Sequence, residues 1–174
     1  MEVDARKNEE LATTEATRRA VPVTLRVNGA EQSVVIEPRR MLSDVLRDNL
    51  GLTGLHLGCE QGVCGACTVL IDGEPAVSCL CLAVEAKGRD VQTVEHLVRS
   101  PAMQKVTKAF LEHGAFQCGF CTPGFLMMAH DILNKGMGRD RDAVRAHLSG
   151  NICRCTGYEP IIDAIMAAAA EEGA

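Results

Sequence analysis

A chain of 174 residues has room for one ordinary domain or two small ones, and 47% hydrophobic against 24% charged residues marks it as globular rather than disordered. A net charge of −5 with no long basic run argues against nucleic acid as a partner, and no apolar run approaches the length of a membrane span. With one Tyr, no Trp and four Phe, the core must be built from aliphatic side chains or stiffened in some other way.

Residues 1–20 read as a flexible, solvated tail, with nine charges of both signs and no apolar core of the kind a leader needs. Arg18-Arg19 is followed by Ala20-Val21-Pro22 and a strand-like segment rather than an apolar region, so no export signal is expected. Val23, Leu25 and Val27 then alternate with Thr24 and Arg26, the period of a half-buried strand. Asn28-Gly29 is a hairpin turn pair, and Ser33 to Ile36 is the returning strand, stopped by Pro38. Ser43 is placed to cap a helix carrying Val45, Leu46 and Leu50. After a loop rich in glycine and cysteine, Thr68 to Ile71 reads as a strand, Asp72-Gly73 as a second turn, and Val91 to Val94 as a short further strand.

The second half has helical periodicity. Ser100-Pro101 and Thr122-Pro123 are start signals, and Asp140 and Pro160 open two further segments. That makes about four helices, with the change from sheet to helix near residues 95–100. The expected architecture is α+β: a small mixed sheet carrying a helix over residues 21–97, then a helical domain over 98–174.

Nine cysteines dominate the chemistry. No leader is expected, so the compartment is read as reducing and cytoplasmic, where thiols serve as ligands more often than as disulfides. Cys59, Cys64 and Cys67 follow the C-x4-C-x2-C spacing of plant-type [2Fe-2S] ferredoxins, with a fourth cysteine further on. Gly58, Gly62 and Gly65 let such a loop turn its N–H groups toward sulfur. The fourth ligand is Cys79 or Cys81; two apart on a strand, they would face the same side. A second group, Cys118 and Cys121 with Cys153 and Cys155, forms two short pairs, each just ahead of a predicted helix. Helix N-termini favour a negative centre such as a four-thiolate cluster. Taken alone, this group also fits a four-cysteine zinc site. The five histidines are scattered, which disfavours a Rieske centre.

The stretches Gly58-Cys59-Glu60-Gln61-Gly62-Val63-Cys64-Gly65-Ala66-Cys67-Thr68, Gln117-Cys118-Gly119-Phe120-Cys121-Thr122-Pro123-Gly124 and Asn151-Ile152-Cys153-Arg154-Cys155-Thr156-Gly157-Tyr158 together resemble the small iron–sulfur subunit of molybdenum hydroxylases, the relatives of xanthine dehydrogenase, aldehyde oxidoreductase and carbon monoxide dehydrogenase. The resemblance spans about residues 21–170. It implies a plant-ferredoxin-like β-grasp domain followed by a four-helix iron–sulfur domain, and two [2Fe-2S] clusters. It implies that electrons pass from molybdopterin through both clusters to FAD, with no substrate chemistry in this chain. By this match Cys79 is the fourth ligand of the first cluster and Cys81 is spare, while Gln117 and Cys155 lie where the family contacts the pterin. Molybdopterin and FAD are expected on partner chains, a large and a medium subunit, in a heterotrimer or a dimer of heterotrimers. An apolar patch on the helical domain would face a partner. The competing reading is a free two-cluster ferredoxin-like shuttle.

Overall fold

Two turn pairs organise the first half. Asn28 and Gly29 (φ 54° and 80°) and Asp72 and Gly73 (φ 54° and 84°) all sit in the left-handed region, the backbone of the two-residue turn whose twist matches that of its strands. The first joins β1 (Val21–Val27) to β2 (Ala30–Ile36), with Val27 opposite Ala30. The second joins β3 (Thr68–Ile71) to β4 (Glu74–Val77), with Ile71 opposite Glu74. These elements come from a computed structural model, which describes residues 19–172. Up to residue 18, the expected flexible tail lies outside the described residues.

β5 (Asp90–Gln92) completes a five-stranded sheet in the order β2-β1-β5-β3-β4, parallel to β1 and antiparallel to β3. The strand expected over Val91 to Val94 ends earlier. The Asn28 side chain captures Thr93, accepting its N–H at 2.9 Å and donating to its hydroxyl at 3.0 Å. Val94 thereby starts a short helix instead.

Helix α1 (Leu42–Asp44) runs on as a π-helical turn, Val45–Asn49, closed by Leu50 N–H donating to the Val45 carbonyl at 3.1 Å. Leu42, Val45 and Leu46 are buried with the inward residues of the sheet, Val23, Leu25, Val27, Val69, Ile71 and Val91. Ser43 is not the cap. Met41 holds that position without a side-chain bond, and Ser43 is buried inside the helix. The free Leu42 N–H is satisfied at long range, by the Cys81 carbonyl at 2.7 Å. A tertiary partner has replaced the local cap.

The helical half contains α2 (Val94–Leu97), α3 (Pro101–Glu112), α4 (Thr122–Asn134), α5 (Arg141–His147) and α6 (Glu159–Glu172). The last four match the expected set, and α2 is additional. Ser100 caps α3 by accepting Met103 N–H, and Asp140 caps α5 by accepting from Asp142 and Ala143. At α4 the expected Thr122 cap fails: the helix starts at Thr122 itself, with Cys121 before it. Met103, Val106, Phe110, Phe125, Ala129, Ile132, Ile161 and Ile165 form the second core.

Strand β3 belongs to both cores. All four of its residues are buried. Val69 and Ile71 lie in the first cluster, whereas Leu70 packs among the helices. A buried carboxylate sits on the same side. Asp131, its side chain 3% exposed, meets Lys135 at 3.0 Å and His147 at 2.6 Å. Lys135 also reaches Glu74 on β4 at 3.0 Å, so the ion pairs cross from helices to sheet. Among the described residues no helix is long and apolar enough to cross a membrane.

Phe110 is fully buried where α3 faces the other helices. Phe110→Ala is expected to cost about 3–5 kcal/mol, read as a lower denaturant midpoint for the loss of helical circular dichroism.

Candidate metal centres

The loop from Gly58 to Cys67 turns sharply before entering β3. Glu60, Gly62 and Gly65 have φ of 53°, 76° and 70°. The folding back aims backbone donors at sulfur: the N–H groups of Gln61 and Cys64 point to Cys59 Sγ, the latter at 3.4 Å, and hold that thiol down to about 6. The fourth cysteine arrives on a tight 3₁₀ turn, Ser78–Leu80, rather than a strand. Ser78 fastens this turn to the loop, its hydroxyl donating to the Cys67 carbonyl at 2.7 Å. Cys79 is buried and its thiol hydrogen-bonds that of Cys67; burial first, then this contact, pushes it up to about 11. Cys81 follows the turn in extended backbone and is half-buried. Cys81 instead donates to the Val77 carbonyl at 3.6 Å. The first site is thus two thiol pairs, Cys59 with Cys64 and Cys67 with Cys79.

The second site repeats the arrangement. Cys118 and Cys155 approach to 3.5 Å, sulfur to sulfur. Cys121, at the N-terminal end of α4, hydrogen-bonds Cys153; burial, and then this contact, pushes the Cys121 thiol up to about 12. Burial acts on Cys153 too, but the Thr156 hydroxyl at 3.1 Å and the Thr156 N–H at 3.4 Å outweigh it, and its thiol lies below the ordinary value. Cys118 and Cys155 are exposed, Cys121 is half-buried and Cys153 is buried. Gln117 is exposed beside the outer pair.

A [2Fe-2S] cluster shares four thiolates between two irons, two to each. Two contacting pairs per site are the donor arrangement this requires. A structural zinc ion instead needs its ligands gathered around one point. His56, the histidine nearest the first loop, is used otherwise: its Nδ1 is 2.7 Å from the Phe120 carbonyl and its ring stacks on Phe120 at 4.8 Å.

The two sites meet along a seam. Ile152 N–H donates to the Cys64 carbonyl at 2.9 Å, and Asn151 Nδ2 donates to the Gly65 carbonyl at 3.1 Å. The contact is close enough to exclude side chains: a Cβ on Gly124 would lie 2.4 Å from the Gly65 carbonyl oxygen. A cavity of about 280 Å³ opens beside this seam, lined by Cys64, Phe120, Cys121, Ile152, Cys153 and Cys155 among others. The eight cysteines expected as ligands lie in these two groups of four. Sequence reasoning assigned no role to His56, Phe120, Asn151 or Ile152, whose partners lie in the other domain.

Comparison with known proteins agrees with this geometry. Residues 25–96 match the family described as 2Fe-2S iron-sulfur cluster binding domain, and residues 93–166 the [2Fe-2S] binding domain family. The chain is 45% identical to the nicotine 6-hydroxylase small subunit of Paenarthrobacter nicotinovorans, over 92% of its own length and 97% of that protein. It is 49% identical to the caffeine dehydrogenase subunit gamma of Pseudomonas sp. (strain CBB1), over 82% of this chain and 87% of that one. A chain in the crystal structure of quinoline 2-oxidoreductase from Pseudomonas putida 86 superposes with a TM-score of 0.82 and 49% identity, covering 87% of this chain and 95% of that one.

The seam makes a contrast between two glycines. Gly124→Ala forces a methyl group against backbone and is expected to destabilise the chain by about 1–3 kcal/mol, with lower iron content after purification. Gly150→Ala, at a site with nothing within 4 Å of the added carbon, is expected to change neither. Thermal unfolding and iron analysis of the two variants test this.

Proposed function

The chain belongs to the small iron–sulfur subunits of the molybdenum hydroxylases, and on that premise we propose that it relays electrons from a molybdopterin centre to FAD, each carried by a partner subunit. In this reading Cys59, Cys64, Cys67 and Cys79 hold one cluster, and Cys118, Cys121, Cys153 and Cys155 hold the other. When bound, each cluster supplies a one-electron donor and acceptor, with a potential set by charge, hydrogen bonds to sulfur and exposure. The observation that carries the proposal is the pairing of thiols at both sites together with the two hydrogen bonds, Ile152 N–H to the Cys64 carbonyl and Asn151 Nδ2 to the Gly65 carbonyl, that join the two ligand loops.

The chain's own residues divide the work. Backbone donors from Gln61 and Cys64 favour the thiolate form of Cys59. Ser78 locks Cys79 against Cys67. The outer pair, Cys118 and Cys155, with exposed Gln117 beside it, is assigned to the molybdopterin side. Phe116, Phe120 and Ile152 are exposed apolar side chains near the same site, suited to burial against a partner. The proposed cluster-bearing domains are residues 21–97 and 98–174; two hydrophobic cores meeting at β3 support a division in two, with α2 packing into the helical core.

Relatives named as small, beta and gamma subunits place the chain among proteins that work with partner subunits. A large molybdopterin-binding and a medium FAD-binding subunit complete the proposed enzyme, as a heterotrimer or a dimer of heterotrimers. The proposed location is the cytoplasm, where nine free thiols stay reduced. Substrate chemistry falls to the partner.

The reduced, purified protein is expected to give two distinguishable cluster signals in electron paramagnetic resonance and to copurify with molybdenum and flavin subunits. A colourless, zinc-loaded protein, or a stable monomer without those partners, would contradict the proposal. Cys118→Ser or Cys121→Ser is expected to abolish turnover with the physiological acceptor while the signal of the first cluster persists. Undiminished turnover would refute that order of transfer.

A further inference from the structure

The segment after the last ligand cysteine is folded back on the second site. Gly157 and Tyr158 both adopt left-handed backbone, with φ of 70° and 71°. Glycine does so freely, but for a tyrosine the conformation costs about 1–3 kcal/mol and persists only when its surroundings hold it. Three contacts do so. The Tyr158 hydroxyl accepts Cys153 N–H at 3.2 Å. Its ring meets Phe125 edge-on at 6.3 Å. Its carbonyl accepts Ile161 and Ile162 N–H, at 2.9 and 3.0 Å, as α6 begins.

The result of this turn is the placement of Thr156. Its hydroxyl lies 3.1 Å from Cys153 Sγ and its N–H 3.4 Å from the same atom. The direction of the hydroxyl bond follows from the neighbours. Thr156 Oγ1 already accepts the Tyr158 N–H at 3.2 Å, and a ligating thiolate has no proton and can only accept. The hydroxyl proton therefore points at sulfur. Among the described residues this is the only ligand-cysteine sulfur with a side-chain hydroxyl at hydrogen-bond distance; the Ser78 hydroxyl reaches the Cys67 carbonyl, not its sulfur. Cys153 is also the buried cysteine of its site, where a hydrogen bond acts through a lower dielectric than at the surface.

We propose that Thr156 sets the reduction potential of the helical-domain cluster by donating its hydroxyl hydrogen bond to Cys153 Sγ. The inference rests on the cluster assignment above. Reduction adds negative charge to the cluster and its thiolates, so a donor at sulfur stabilises the reduced form more than the oxidised form and raises the potential. Tyr158 is a positioning residue: it acts through the backbone turn that presents Thr156.

The test is a redox titration of the assembled enzyme followed by electron paramagnetic resonance, which reads each cluster separately. Thr156→Val keeps the shape and removes the donor. It is expected to lower the midpoint of the helical-domain cluster by about tenfold in the equilibrium constant, which is 59 mV for a one-electron couple. The other cluster should be unmoved. Thr156→Ser, which retains the hydroxyl, should restore a midpoint near that of the parent. An assembled valine variant with the parent's midpoint, or an equal shift at both clusters, would overturn the proposal. If valine prevents assembly, Thr156→Ala takes its place with the same two outcomes. Failure of the cluster assignment itself looks different: the unsubstituted protein would then lack the second signal altogether.

Discussion

The hydrogen bond from Asn151 Nδ2 to the Gly65 carbonyl holds the two halves of this protein in one register. Asn151 is only 4% exposed. A buried amide must find its partner inside the protein or cost about 1–3 kcal/mol, so this contact is specified rather than incidental. It brings the peptide after Cys64 against the peptide before Cys153, and the neighbouring Ile152 N–H then reaches the Cys64 carbonyl. Space for the approach exists only because Gly124 has no side chain to fill it. The sheet supports the same arrangement from behind. β3 leaves the first loop and gives one face to each core, so the loop cannot shift without disturbing both.

This constraint gives the molecule a direction. The exposed pair Cys118 and Cys155 meets the surroundings, Cys121 and Cys153 lie behind it, and the Ile152–Cys64 hydrogen bond leads from there to the first loop. Its farther end, around Glu60 to Val63, is again largely exposed. The arrangement gives each half an exposed outer end and an inner face packed on the other half. A protein that merely stored iron would have no need of the seam.

Much of this was legible in the sequence. Local chemistry was read correctly wherever a short range of residues decides it. The two turn pairs and the Ser100 and Asp140 caps are of that kind. Three of the failures share one cause, whereas α4 simply starts one residue before the expected Thr122 cap allows. The sequence favours a cap at Ser43, but the Leu42 N–H finds the Cys81 carbonyl, far along the chain. Val91 to Val94 was read as a strand, but Asn28 pulled Thr93 out of it. Cys79 and Cys81 were placed on one face of a strand, but Ser78, tied to Cys67, wound that segment into a turn. Each of the three is a long-range hydrogen bond overriding a local preference. The seam was invisible for the same reason: Asn151, Ile152, His56 and Phe120 have no periodicity or spacing that announces a partner in another domain.

The proposed relay requires the seam to hold the two clusters close together. The most direct measurement is the magnetic interaction between them in the fully reduced protein, observed by low-temperature electron paramagnetic resonance. The two signals are expected to be split or relaxed by one another, and partial reduction, with one cluster oxidised, to remove the effect. Signals that stay independent at full reduction would contradict the relay.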